Sequence, residues 1–396
     1  MNRLPILMLA LGAFLVGTAE LVVGGVLHAM AEDLGVSIAL AGQFITAYSL
    51  SFALGTPILI ALTSRLGRKS LLLGSLAVFI AGSLLSWAST GYAVMLVSRI
   101  ILGLSAGVYT VVAVSSVTKL VPPERMGGAI SMIALGFGSA MALGVPIGIA
   151  ITGWWSWQAI FAGLAAVSLA VTLLLLRLLP QIEGDTPVPF RQRFSVLGHP
   201  VILSGLLISL LQNGSNSVLL TYLTPYLQEV LHLDASLLGA VMLTLGLVGM
   251  LGSRLGGIGV DRWGSVFMLV STIALAAVTL GLLPLVTASP AAGLLLVVLW
   301  FSSLFMSAPA LQTYFIQQAP QSSNLVLSLN LSVIHLGLAA GAGAGGAAVN
   351  WASTVHYNPW IGSLAALLSL LAAFISFSLR KRKAGGGDLT RAAART

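Results

Sequence analysis

Twelve apolar runs, each near the roughly 20 residues needed to cross a bilayer core of about 30 Å, recur along the 396-residue chain. They cover 4–28, 39–63, 70–88, 92–117, 127–152, 158–179, 200–223, 236–259, 265–287, 292–316, 324–350 and 359–380. Their period is helical, and the short alternating segments of about ten residues that build a membrane barrel do not occur. With 58% hydrophobic and only 7% charged residues, the chain cannot cover a surface against water, because soluble domains carry about a quarter charged residues. The expectation is an all-α polytopic membrane protein; a soluble enzyme or nucleic-acid binder is excluded. The first run has a signal-peptide look at Arg3 and at Gly17-Thr18-Ala19, yet it stays apolar to about Leu27 and is read as span 1. Zero cysteines exclude disulfides and thiolate chemistry.

Charge placement orients the spans. Of the 18 Lys and Arg residues, all but Arg99 and Arg254 fall on the inner side if the N-terminus is cytoplasmic, and the loops of the other side carry none. The positive-inside rule then predicts cytoplasmic N- and C-termini, and the net charge of +8 records orientation, not a nucleic-acid partner. The longest polar segment, 180–199, separates a bundle of six spans over 1–179 from a second over 200–380, with a basic tail at 381–396. A repeat supports the division: Arg65 and Gly67 after span 2 match Arg262 and Gly264 after span 8, each pair 197 positions apart. Two parallel halves with a site between them is a transporter architecture.

Among the ten acidic residues only Glu20 lies well inside a span, where an ionisable group is expensive and marks function by default. Glu20 is about 12 Å below the end of span 1 and Arg99 about 10 Å inside span 4, so the two opposite charges share a depth. Glu20 is therefore the candidate proton carrier with Arg99 as its partner, the alternative being a static ion pair. Arg254, near the inner end of span 8, is placed to snorkel to water. His335, near the midplane of span 11, is a candidate for relaying protons or binding substrate, or else for a helix-to-helix hydrogen bond. Asn330 lies a little over one turn earlier. Gln212, Asn213 and Asn216 in span 7, with Tyr109, Tyr222 and Trp300, suggest a mostly apolar cavity with a few polar groups.

The glycines read as packing devices. "GAGAGG" in span 11 satisfies G-x-G-x-x-G, but no strand precedes it, so a dinucleotide site is rejected; Gly337, Gly341 and Gly345 instead form overlapping G-x-x-x-G steps for a close helix neighbour. Gly138, Gly144, Pro146 and Gly148 predict a kink or pivot in span 5. There is no Walker sequence, H-E-x-x-H or serine elbow, so the chain is not read as an enzyme or an ATP-driven pump, and no cofactor is expected beyond a gradient.

With these motifs the sequence resembles the major facilitator superfamily, and within it the bacterial drug:proton antiporter group with its sugar-, arabinose- and purine-efflux members. The loop motif G-x-x-x-D-R-x-G-R-K is matched by Arg65, Gly67, Arg68 and Lys69, with Ser64 in place of its aspartate and Ile60 in place of its first glycine; the copy after span 8 is fuller, with Gly257, Asp261, Arg262 and Gly264. The span 4 motif R-x-x-x-G is Arg99 and Gly103, and "GVPIG" from Gly144 through Pro146 to Gly148 is a variant of the antiporter motif. "GTAELVVGGVL" around Glu20 is similar to the sugar-efflux type, whereas His335 stands where such relatives carry asparagine or glutamine. The resemblance implies the major facilitator fold, Arg99 in proton coupling, and conformational roles for the loop and span 5 motifs. It further implies a monomer in the bacterial inner membrane that exports small molecules of drug, sugar or nucleoside type against protons, without a cofactor. A passive facilitator of a small polar solute, and a membrane sensor or lipid-handling protein, are the other classes compatible with the residues.

Overall fold

The computed structural model describes residues 4–63, 65–122, 126–183, 198–319 and 323–393. Arg3, Ser64, Glu124, Arg125, Arg395 and most of the expected linker, with Asp185, Arg191 and Arg193, lie outside them. Among the described residues, twelve helices are long and apolar enough to cross a membrane. They are α1 Leu4–Gly25, α2 Ile38–Leu62, α3 Arg68–Trp87, α4 Tyr92–Leu120, α5 beginning at Met126 and ending at Trp154, and α6 Trp157–Leu178. The second set comprises α7 Pro200–Leu220, α8 Ala235–Trp263, α9 Ser265–Leu282, α10 Pro290–Gln318, α11 Ser323–Ala352 and α12 Asn358–Ala393. Ends are set locally: the Ser37 hydroxyl accepts from the Leu40 N–H at 3.2 Å and Ser289 from Ala292 at 3.4 Å, while Pro200 and Pro290 open their helices where no intrahelical N–H is needed. Two ends differ from the apolar runs. α8 continues through Asp261 and Arg262, and α12 runs into the polar tail, because main-chain hydrogen bonding does not stop where hydropathy does.

The packing repeats. α1 lies on α5, α2 on α4, and α3 on α4 and α6; in the second set α7 lies on α11, α8 on α10, and α9 on α10 and α12. The two sets meet through α2 with α11 and α5 with α8, pairs that exchange under the same six-helix shift. Three of the parallel pairs close on glycine. A Cβ on Gly136 of α5 would strike the Ala10 carbonyl of α1, one on Gly103 of α4 the Tyr48 carbonyl of α2, and one on Gly341 of α11 the Gly214 carbonyl of α7. On α8, Gly246, Gly249, Gly252 and Gly256 face α5 and α10, while Leu247, Leu251, Leu255 and Ile258 are exposed on the opposite stripe. Small residues inward and large aliphatic residues outward is the pattern of helices packed in lipid.

The predicted break in α5 is a π turn, Ala140–Gly144, followed directly by the segment Val145–Trp154. Pro146 has no N–H to give the Ala142 carbonyl, so the ordinary ladder cannot close across this turn. α8 crosses at the same point, with Gly246 against Ala142.

Candidate functional site

The buried charges gather near mid-depth where α1, α2, α4 and α11 meet. Arg99 of α4 is 0% exposed. Its Nη1 donates to the Ala19 carbonyl at 2.7 Å, its Nε donates to the Phe44 carbonyl at 3.3 Å, and its guanidinium lies 4.4 Å from the centre of the Tyr48 ring. Main-chain carbonyls and a ring face offset part of the cost of burying this cation. Arg99 thus lies beside Glu20, the residue that shares its depth, with Nη1 on the carbonyl of the preceding residue and Nη2 buried without a hydrogen-bond partner.

The Glu20 carboxylate meets a group of the other six-helix set. Glu20 Oε1 lies 3.4 Å from His335 Nε2, with both side chains buried. His335 stacks on Phe52 of α2, ring centres 3.5 Å apart and planes 4° from parallel, and its Nδ1 lies 3.0 Å from the Leu331 carbonyl. A carbonyl only accepts, so Nδ1 carries the ring proton and a neutral ring presents a bare Nε2 to Glu20. Glu20 Oε2, Arg99 Nη2 and the Tyr48 hydroxyl are buried without a hydrogen bond of good geometry, and the hydroxyl lies close to the carboxylate. Tyr48 and Phe52 carry no sequence motif; they are recognisable only once α2 is known to lie beside α4 and α11.

The remaining candidates divide by where their polar atoms go. Tyr109 donates to the Leu9 carbonyl at 2.8 Å, Tyr222 to the Ala342 carbonyl at 3.1 Å, and Trp300 Nε1 to Asn216 Oδ1 at 3.0 Å. Asn213 Nδ2 donates to the Ser209 carbonyl at 2.8 Å. By contrast Gln212 Oε1 and Asn330 Oδ1 are buried with no partner.

The motif residues lie on the face where α1 begins. Gly67 precedes α3 and Gly264 precedes α9, so the repeat falls at one structural position; Gly264 has φ +86°, and a Cβ on Gly67 would come 3.3 Å from the Ile182 carbonyl. Arg68 is buried and donates to the Ser115 carbonyl of α4, tying the loop to the inner bundle. Arg65, Asp261 and Arg262 are exposed, Arg262 over the Trp263 ring at 5.6 Å, and Gly257 has open space beside it. Gly144 and Gly148 press on Thr18 and Val22 of α1. Arg254 is exposed, as snorkelling requires. On the opposite face the two sets touch again: Thr224 donates to the Gly24 carbonyl at 2.7 Å, and His28 Nδ1 lies 4.0 Å from Glu229 Oε1. Sequence reading did not single out this last contact.

A multi-pass bundle of twelve helices in repeated sixes, with a buried carboxylate and imidazole where the sets meet, defines the class of secondary membrane transporters. A sequence profile described as Major Facilitator Superfamily matches residues 9–342, and the chain belongs to that superfamily. It is 35% identical over 383 residues to the uncharacterised MFS-type transporter YbcL of Bacillus subtilis (strain 168), covering 97% of this chain and 98% of that one. It is 29% identical over 376 residues to the inner membrane transport protein YdhP of Escherichia coli (strain K12), covering 94% and 95%. Among solved structures, a D-xylose-proton symporter superposes with TM-score 0.77 at 18% identity over 93% of this chain and 96% of the other. A bacterial homologue of the human lysosomal transporter Spinster, inward-facing and occupied, gives TM-score 0.77 at 16% identity over 96% and 98%. The protein is thus a membrane transporter of small solutes and not an enzyme, and such transporters generally need no cofactor.

Proposed function

We propose that this chain is a proton-coupled exporter of small molecules in the bacterial inner membrane, a monomer with cytoplasmic termini working by alternating access of its two six-helix halves. The 3.4 Å contact between Glu20 and His335 carries the reading. Because the His335 ring proton is given to Leu331, the contact attracts only when one further proton lies between the groups, on the imidazole or on the carboxyl. Loss of that proton sets a carboxylate lone pair against a nitrogen lone pair. One proton thus joins the halves across their interface, and its loss weakens that joint, which is the differential stability that proton coupling requires.

Arg99 anchors α4 to α1 beside the pair as a fixed positive charge. Gln212 and Asn330 are the polar groups best placed to meet substrate, since their amide oxygens are not committed to the protein. Tyr109, Asn213, Asn216, Tyr222 and Trp300 shape the surrounding wall. The Gly67 and Gly264 loops and the α5 π turn are the points about which the halves rock. Orientation is supported by Arg65, Lys69, Lys119, Arg177 and Arg262 on the face where α1 begins, against Glu32, Asp33, Glu229 and Asp234 on the other.

A thermal-shift screen over drugs, sugars, purines and amino acids selects a ligand. That ligand is then added to inverted vesicles holding an acid interior reported by a pH-sensitive dye. The expected result is proton efflux on ligand addition, lost in Glu20→Gln. No proton movement defeats antiport, and equal flux without a gradient makes the protein a passive facilitator.

A further inference from the structure

Glu20 is faced by titratable groups from three elements: Tyr48 of α2, Arg99 of α4 and His335 of α11. The remaining helices on α1, α5 and α6, bring none to this depth. Arg99 spends Nη1 and Nε on carbonyls and keeps Nη2 buried without a hydrogen-bond partner, a fixed cation within the first half. His335 belongs to the opposite half and leaves when the halves part. Tyr48 stays: its ring is held beneath Arg99 at 4.4 Å, and its carbonyl is pressed by Gly103, so its hydroxyl keeps a fixed place on the α1 side of the interface. In this conformation that hydroxyl is buried close to the carboxylate without reaching it in a hydrogen bond of good geometry. A buried hydroxyl without a partner costs free energy that a second arrangement can recover.

We infer that Tyr48 is the alternative partner of Glu20, receiving its carboxylate in a hydrogen bond within the first half when the proton shared with His335 has left. Tyr48 is then a positioning residue that makes the parted state favourable for an ionised Glu20. The inference rests on the proposed proton coupling through Glu20. A charge-assisted hydrogen bond present in one state only shifts a two-state population by about tenfold.

The test reads the separation of the halves directly. The chain has no cysteine, so nitroxide labels on Thr90→Cys and Ser236→Cys, exposed on the face opposite the start of α1, report alone. A His28→Gln background removes the imidazole–carboxylate contact between His28 and Glu229 on that face. Pulsed electron resonance distances are collected in lipid nanodiscs from acid to alkaline pH, without ligand. The background protein is expected to gain a separated population on going alkaline, and Tyr48→Phe, which keeps the ring under Arg99, to reduce that population about tenfold at alkaline pH and leave it unchanged at acid pH. Glu20→Gln is expected to abolish the pH response and the Tyr48→Phe effect together. His335→Gln, a check independent of the Tyr48 variant, is expected to raise the separated population at acid pH and to make Tyr48 matter there too.

An unchanged Tyr48→Phe titration overturns the inference while leaving proton coupling intact. So does a Tyr48→Phe effect that persists in Glu20→Gln, because Tyr48 is then a packing residue. A pH response that survives Glu20→Gln removes Glu20 as the proton carrier and both readings with it.

Discussion

Arg99 donates to the carbonyl oxygen of Ala19 at 2.7 Å, fixing α4 to the backbone one residue before Glu20 while leaving the Glu20 carboxylate to His335. The arrangement separates two tasks. The permanent cation holds helices of one half together, and the carboxylate, at the junction of both halves, is left to an imidazole of the other half.

Replacing Arg99 with lysine keeps the charge and loses the geometry. One ammonium cannot span the Ala19 and Phe44 carbonyls and also lie flat on the Tyr48 ring. Arg99→Lys is expected to cost about 2 kcal/mol, seen as a lower unfolding temperature in detergent, and to slow gradient-driven transport at least tenfold.

The glycines separate just as sharply. Gly103→Ala puts a Cβ onto the Tyr48 carbonyl and Gly341→Ala onto that of Gly214, so each is expected to destabilise by about 1–3 kcal/mol as parallel helices are forced apart. Gly138→Ala and Gly257→Ala meet nothing within 4 Å and are expected to be neutral or to stabilise by up to about 1 kcal/mol. Thermal unfolding of the four variants side by side checks the ranking; destabilisation by Gly257→Ala would mean that the motif copy at the end of α8 packs more closely than this conformation shows.

What the sequence made legible follows from the range of the forces involved. Span length and helical period are local, so twelve helices could be placed within about five residues, the end of α12 excepted, and the 197-residue spacing located Gly67 and Gly264 at equivalent turns. Glu20 stood out because a lone carboxylate in an apolar run is costly wherever its neighbours lie. Its partner was not legible. His335 is brought to it by packing of α11 against α2, whereas depth, which is all that a single span encodes, pointed to Arg99. For Tyr222 and Trp300 the same limit holds: that their donors end on Ala342 and Asn216 is decided by partners 84 or more positions away in the chain.

Orientation in the membrane is open to direct labelling. Single cysteines at Thr90 or Ser236, on the acidic face, are expected to react with an impermeant maleimide in intact cells, whereas cysteines at Arg65 or Arg262 react only after the membrane is opened. The reverse pattern would place the basic face outside and turn the proposed exporter into an importer.

Polar residues of the interior can be sorted by whether they hold the fold or await a ligand. Trp300→Phe removes the donor to Asn216 Oδ1 and strands a buried amide, so the expected loss is about 1–3 kcal/mol of stability, read as a lower unfolding temperature. Gln212→Ala and Asn330→Ala remove oxygens that already lack partners, and are expected to leave the unfolding temperature nearly unchanged while raising the KM for the ligand found by screening about tenfold. If instead both amide variants unfold early with KM intact, their side chains brace the halves, and substrate recognition falls to the Glu20 and His335 junction itself.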